Sequence, residues 1–294
     1  NLALRDPQAQ VNALQKGEVD IIEQLSFDHY ETVKNDPKLQ IPKVGNLGLQ
    51  YMARFNHLHK PFDNPKVRQA ALAAFAQEPF LRAQVGVKEL YKTCPGMFIC
   101  GTPFGSAVGS EIQSKGSIKK AQELLKASGY DGTPVVLMKP TDLAAIAKLP
   151  DVAAQLLRQA GFKVDLQAMD WQTLVGRRAK KDAPDKGGWN LLITGWQAHD
   201  VWSPIANPTI DGRGEKSGWF GWAKDDKLME LRDQFLRATD EPGKKKLADA
   251  IQTRAFEIGT HAPLGEVDVP LAAGKNVTGF FVTNGHIYWN LKKN

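Results

Sequence analysis

A chain of 294 residues, 42% of them hydrophobic, can bury a sizeable core as two domains or one large one. No apolar run approaches the roughly 20 residues needed to span a bilayer, and no basic-then-apolar signal stands at the amino end. The net charge of +6, with a pI near 9.1, is a mild excess; its clusters at 177–181 and 244–246 lack the interleaved aromatics of a single-strand platform, so they read as solvated faces and no nucleic-acid partner is expected.

The opening stretch 1–7 reads like the middle of a domain, so a longer protein is expected and the missing signal says nothing about location. Pro7 starts a helix over 7–16 that Gly17 stops. The pattern then predicts a strand at 18–23, a helix at 27–34 and strands at 39–44 and 47–55. In the following loop, Asn64 and Pro65 form a cap and first helical position, and Val67, Ala70, Ala71, Ala74 and Phe75 share one helix face. His57 and His59 in that loop lack the further partners a metal site needs, so no metal is expected.

From 85 to 116 the chain is rich in Gly and Pro and reads as a long segment crossing the surface. It carries both cysteines, Cys94 and Cys100, whose spacing matches no CxxC redox or zinc pair. A local disulfide would stabilise by roughly 2 kcal/mol in the chain-entropy model and would indicate an oxidising compartment. Two reduced thiols are the alternative.

Ser117 caps a helix to 127, closed by Gly129; a strand at 134–138 and a helix at 151–160, closed by Gly161, follow. The run 163–169 alternates with Val164, Leu166 and Ala168 on one face, and Asp170 caps a helical piece bearing Trp171, Leu174 and Val175. The run 189–194 is nearly continuously apolar, as in a strand buried on both faces. Strand and helix alternate here, which reads as an α/β lobe.

That last run ends at Gly195-Trp196 and continues as Gln197-Ala198-His199-Asp200-Val201-Trp202. In open α/β sheets ligands bind in the crevice beyond the carboxyl ends of the strands. The expected ligand site is therefore Trp196, Gln197, Ala198, His199, Asp200 and Trp202, with Asn207 and Trp219 added from the same loop. Trp171, Trp189 and Trp289 are expected to pack rather than bind. Beyond the loop, Asp225 or Asp226 starts a helix to 237, and a second from 241 turns Leu247, Ile251 and Ala255 inward. A strand at 263–269 and short strands over 277–291 close the chain.

An enzyme reading finds little support. The GxSxG elbow and HExxH are absent, and Gly212-Arg-Gly-Glu-Lys-Ser217 imitates a P-loop without the Gly that should precede the Lys. Asp165 and Asp170, or Asp225 and Asp226, suit strand and cap roles better than an acid/base pair. No catalytic residue and no cofactor is expected.

Several stretches, taken in order, resemble a known family. They are Asn12-Ala-Leu-Gln-Lys-Gly-Glu-Val-Asp20, the run 51–56 followed by Pro61-Phe-Asp-Asn-Pro-Lys-Val-Arg-Gln-Ala70, Ala121-Gln-Glu-Leu-Leu-Lys-Ala-Ser-Gly129, 156–164, 189–196 and Asn276-Val-Thr-Gly279. Together they are similar to the family 5 extracellular solute-binding proteins, the dipeptide, oligopeptide and nickel-type receptors of ABC importers. The resemblance implies an α/β, type II periplasmic-binding-protein-like fold that lacks most of its first lobe. Residues 1–50 would close the first lobe, 51–264 would form the second, with 51–55 crossing into it, and 265–294 would return.

The implied function is capture of a small solute, a peptide or peptide-like compound above all, by a periplasmic monomer that delivers it to ABC permease subunits in the membrane. The Asp that holds a peptide's α-ammonium in peptide-binding members falls at His199 here, with an acid one position later at Asp200. This departure leaves open whether Asp200 reaches the same group or His199 bonds a neutral or anionic ligand. A binding or signalling module acting through a protein partner is the alternative function.

Overall fold

Leu49–Phe55 is the strand on which the molecule is assembled, because it is flanked on both sides and covered on both faces. The computed structural model describes residues 6–43, 45, 48–283 and 287–294. The strands in chain order are β1 (Ile21–Ile22), β2 (Leu39–Gln40), β3 (Leu49–Phe55), β4 (Tyr91–Lys92), β5 (Val135–Pro140), β6 (Val164–Met169), β7 (Leu191–Gln197), β8 (His261–Val267), β9 (Ala272–Gly274), β10 (Val277–Thr278) and β11 (Lys292–Lys293). The helices are α1 (Pro7–Lys16), α2 (Tyr30–Lys34), α3 (Pro65–Ala74), α4 (Gln77–Gln84), α5 (Glu111–Ser114), α6 (Ile118–Ala127), α7 (Leu149–Gln159), α8 (Trp171–Arg177), α9 (Ala198–Val201), α10 (Asp226–Arg237) and α11 (Glu241–Ile258).

The main sheet has six strands in the order β4-β8-β3-β7-β5-β6. β3 runs antiparallel to both β7 and β8, and β5 runs parallel to both β6 and β7. A smaller antiparallel sheet, β1-β9-β2, and the pair β10-β11 stand apart from it. Val11, Leu14, Ile22, Leu25, Val33, Leu39 and Ala272 form a core of their own around the smaller sheet.

Alternation along β3 sends Tyr51, Ala53 and Phe55 into the main core with Leu191, Ile193, Ala262 and Leu264 from its neighbours. Gln50, Met52 and Arg54, on the other face, are also almost wholly buried. The α3 helix is buried nearly all round, so Leu72 and Ala73 join the apolar face expected from periodicity. Local start and stop signals act as read. Asn64, Ser117, Asp170 and Asp225 each accept from a first-turn backbone N–H, satisfying a donor the helix cannot, and Asp6, for which the sequence reading offered only Pro7, does the same for α1. Gly17 closes α1 in the left-handed region, at φ 73°.

Several expectations require correction. The stretch after 85 does not stay on the surface: Lys88, Lys92 and Val108 are exposed, but Cys94, Met97 and Phe98 have no exposed area and Ile99 has 1%. Apolar Met97 and Phe98 draw it into the core, and buried glutamines hydrogen-bond its irregular backbone. Gln77 accepts from the Cys94 N–H at 2.8 Å and donates to the Cys94 carbonyl at 2.6 Å. Gln252 accepts from the Met97 N–H at 2.8 Å and donates to the Val108 carbonyl at 2.6 Å. Gly105 permits the tight fold of the segment, since a Cβ there would lie 2.2 Å from the Ile99 carbonyl oxygen. Cys94 and Cys100 form a disulfide.

The strand expected at 18–23 shrinks to β1, because the backbone of Glu18 and Val19 is turned back onto the Ala13 carbonyl at the end of α1. The helix expected at 27–34 begins with a tighter turn at Phe27–His29 before α2. On β6, Val164 and Leu166 are half-buried but Ala168 is exposed, as befits an edge strand. Trp289, expected to pack, is 91% exposed on the turn between β10 and β11. Parts of the expected stretches at 1–7, 39–44, 47–55 and 277–291 fall on residues 1–5, 44, 47 and 284–286, outside the described residues.

Candidate ligand-binding site

Three strand ends meet at one margin of the main sheet. Leu49 at the start of β3 pairs with Gln197 at the end of β7 and with Val267 at the end of β8. The Ala198 N–H donates to the Gly48 carbonyl at 3.1 Å, pinning the start of α9 to this margin. Beyond it opens a cleft of about 550 Å³, lined by Gln197, His199, Asp268, Lys43, Glu23 and Tyr30 among others, so that residues of both sheet systems form its walls. A second hollow, of about 760 Å³, shares Glu23, Gln24 and Val269 with it.

The expected site residues divide between different surroundings. Gln197 and His199 line the cleft, while Asp200 stands off its wall with Oδ1 3.5 Å from His199 Nε2. Ala198 and Val201 are buried against Ile99, with Trp196 packed alongside. Trp202 is 40% exposed and tilts against Phe104 at 6.0 Å. Asn207 has no exposed surface; it donates to the Met97 carbonyl at 3.2 Å and accepts from the Thr209 N–H at 3.0 Å, so it braces two loops. Trp219 meets Trp196 edge to face at 5.5 Å and faces a separate hollow of about 420 Å³.

Asp268, Lys43 and Glu23 are cleft residues that the sequence reading missed. Asp268 follows directly on β8, so the same strand-end rule that selected His199 could have selected it. Partial burial raises the Asp268 carboxyl above its ordinary value, with Lys92 and Lys43 opposing. Glu23 and Lys43 carry no comparable signal in the sequence, because their place beside β7 arises from chain crossing between the sheets.

His57 and His59 serve as separate struts: His57 Nε2 lies 3.0 Å from the Gly259 carbonyl and His59 Nε2 lies 2.8 Å from that of Lys181. Among the described residues, the one group of sulfur and carboxylate atoms close enough to share an ion is Cys94, Cys100 and Glu266, within 4.8 Å of one another. Its sulfurs are joined in the disulfide and are not thiolates. Glu266 instead accepts from the Cys100 N–H at 2.8 Å and pairs with Lys92 at 3.0 Å. Among the described residues no helix is long and apolar enough to cross a membrane.

With the geometry in hand, similarity to known proteins becomes specific. The chain is 33% identical over 295 residues to a probable peptide ABC transporter periplasmic-binding protein, y4tO, of Sinorhizobium fredii, covering 99% of the chain and 55% of that protein. It is 25% identical over 283 residues to the glutathione-binding protein GsiB of Escherichia coli, covering 92% of the chain and 52% of that protein. Its fold matches the solved structure of AgaA in complex with agropinic acid, from A. tumefaciens R10, with a TM-score of 0.80, 22% identity, and coverage of 99% and 59% of the two chains. The chain thus spans about half the length of the curated relatives it matches. The family model described as bacterial extracellular solute-binding proteins, family 5 middle, matches residues 2–210, and the chain belongs to that family.

Proposed function

We propose that this chain forms the greater part of the ligand-binding apparatus of a substrate-binding receptor for an ABC importer. The observation that carries the reading is the cleft of about 550 Å³ at the joined ends of β3, β7 and β8, walled by both sheet systems. A site between two packed units captures a solute by closure and needs no bond-making group. The smaller core of Val11, Leu14, Ile22, Leu25, Val33, Leu39 and Ala272 supports a division at about residues 50 and 265, with 1–50 and 265–294 on one side and 51–264 on the other, while Phe27, Tyr30 and Val267 tie the two sides through the main core.

The proposed solute is a peptide or peptide-like compound, in keeping with what the y4tO and GsiB names state of those proteins. Gln197 and His199 would contact it from β7 and α9, with Trp196 and Trp202 beside them and Asp200 acting through His199. Asn207 and Ala198 would act only by bracing the loop. The receptor is proposed to work outside the cytoplasmic membrane, where the Cys94–Cys100 disulfide persists, as a monomer that hands solute to permease subunits without chemical change.

Isothermal titration of dipeptides, oligopeptides and a nickel–histidine chelate against the protein tests this. Saturable binding of a peptide, weakened about tenfold by His199→Ala, is the expected result, that factor being the loss of one charge-assisted or cleft hydrogen bond. Release of hydrolysed peptide, or affinity for the chelate with none for peptides, would sink the reading.

A further inference from the structure

The hollow beside Trp219 presents an imbalance of charge that the cleft does not explain. Asp211, only 3% exposed, accepts from Arg213 through Nε at 2.9 Å and Nη2 at 2.8 Å, and from the Trp219 N–H at 3.0 Å. Arg54 and Arg232 lie close enough to feel the same carboxylate. Arg213 pairs with this buried acid and the charges of Arg54 and Arg232 also act on it; the other carboxylate that Arg232 feels, Asp233, is exposed on the outer side of α10.

Two of these guanidinium groups have a buried nitrogen with no hydrogen-bond partner among the described residues: Nη2 of Arg54 and Nη1 of Arg232. Trp196 Nε1 is a third such donor, and its ring packs on Trp219. Arg54 is wholly buried directly behind Trp219, with its guanidinium carbon 5.3 Å from the ring centroid. A buried donor left unpaired is costly, the more so when it is charged, so native proteins supply a partner, often a water or an ion. The hollow has room for more than water. Its volume is about 420 Å³, its polar wall is Arg232, Arg213, Asp211 and Ser217, and its apolar wall includes Trp219 and Phe220.

We propose that this hollow is a subsite for a small molecule with a carboxylate head and a flat apolar body, distinct from the cleft at His199. Arg232 takes the carboxylate, with Arg213 at the rim and Arg54 behind supplying positive field; the body lies on Trp219 and Phe220. A guanidinium suits this role because its fixed fork of donors matches a carboxylate.

The test uses the 294-residue chain in buffer free of phosphate and sulfate. Calorimetry and tryptophan fluorescence would follow phenylacetate, its neutral analogue phenylacetamide, and inorganic phosphate. Phenylacetate should bind saturably with a fluorescence change, the amide roughly tenfold or more weakly, since one charge-assisted bond is lost. Arg232→Met should abolish binding, Arg232→Lys should keep part of it, and His199→Ala should leave it unchanged. Should Arg232→Met fail to fold, Arg213→Gln, at an exposed side chain, is expected to weaken binding in its place. Equal affinity for the amide, full affinity in the folded arginine variants, or loss of binding in His199→Ala would overturn the proposal. Phosphate binding without phenylacetate binding would overturn the assignment of an apolar body, and silence towards all three probes would overturn the subsite itself.

Discussion

Arg54 on β3 and His261 on β8 stand directly opposite each other across the sheet, and neither has any exposed surface. Burial pulls the Arg54 guanidinium down to a pKa of about 9, with Asp211 opposing. Burial also holds the His261 imidazole far below its ordinary value, and the charge of Arg54 adds to this. His57, partly buried, is depressed by desolvation and then by Arg68 and Arg54, against the hydrogen bond to Gly259.

These two histidines set a pH dependence of stability with a definite sign. In the unfolded chain they take up protons near pH 6.5, whereas the folded imidazoles stay neutral well below that. The unfolded state therefore binds more protons below about pH 6.5, and stability falls as pH drops, by up to about 1.4 kcal/mol per unit for each histidine. Above that pH they contribute no slope. Urea midpoints measured between about pH 7.5 and 5.5 should fall, and replacing His261 by Asn should remove part of the slope. An unchanged slope in that variant would contradict the assignment.

Arg54→Met should destabilise by roughly 3 kcal/mol. The side chain donates to the carbonyls of Phe220 at 2.7 Å, Thr209 at 2.6 Å and Thr260 at 2.9 Å, and methionine leaves two buried carbonyls and one partly buried one without it. Near-ultraviolet circular dichroism should change as well, because Trp219 loses the guanidinium behind its ring. A variant as stable as the parent would show that apolar packing matters more here than the bonds.

Gln252→Ala removes the acceptor of the Met97 N–H and the donor to Val108 from a side chain with no exposed area. The expected loss is about 2 kcal/mol, compared with less than about 0.5 for Gln234→Ala, whose bond to Glu230 is at the surface. Equal effects at the two positions in chemical denaturation would remove the case for buried glutamines as struts.

Replacing Cys94 and Cys100 together by Ser should cost about 2 kcal/mol, the chain-entropy value for so short a loop. The fold should survive, because Gln77 holds the Cys94 backbone at both its N–H and its carbonyl. The same drop in melting temperature should appear when the parent is reduced, and no drop when the double variant is treated alike.

How much was legible follows from the range of the forces involved. Asp170 before Trp171, Ser117 before α6 and Gly17 after α1 act on backbone groups within one turn, so the order of residues suffices to place them. The apolar run ending at Thr194 marks β7 in the same way, and the residue types of the loop beyond it name a set that includes Gln197 and His199. Those local signals, together with the collinear family motifs, determine the α/β class and the position of the loop.

Which members of that loop share a cavity is settled by strand neighbours. His199 shares a cleft with Asp268 and Lys43 because β7 and β8 flank β3 and the chain recrosses between the sheets; Trp219 instead packs over Arg54 of β3. The buried stretch around Met97 reads as surface in the sequence for a related reason. Composition registers its glycines and prolines, while the glutamines that satisfy its backbone lie elsewhere in the chain and look like solvent residues until the fold closes over them. The sequence by itself determined most of the longer elements and the family, through contacts a few residues long, but not the helix Gln77–Gln84 or the length of β1. Tertiary structure alone decided burial, charge pairing and the walls of the cleft, because hydrogen-bond satisfaction and desolvation depend on partners that only long-range packing brings together.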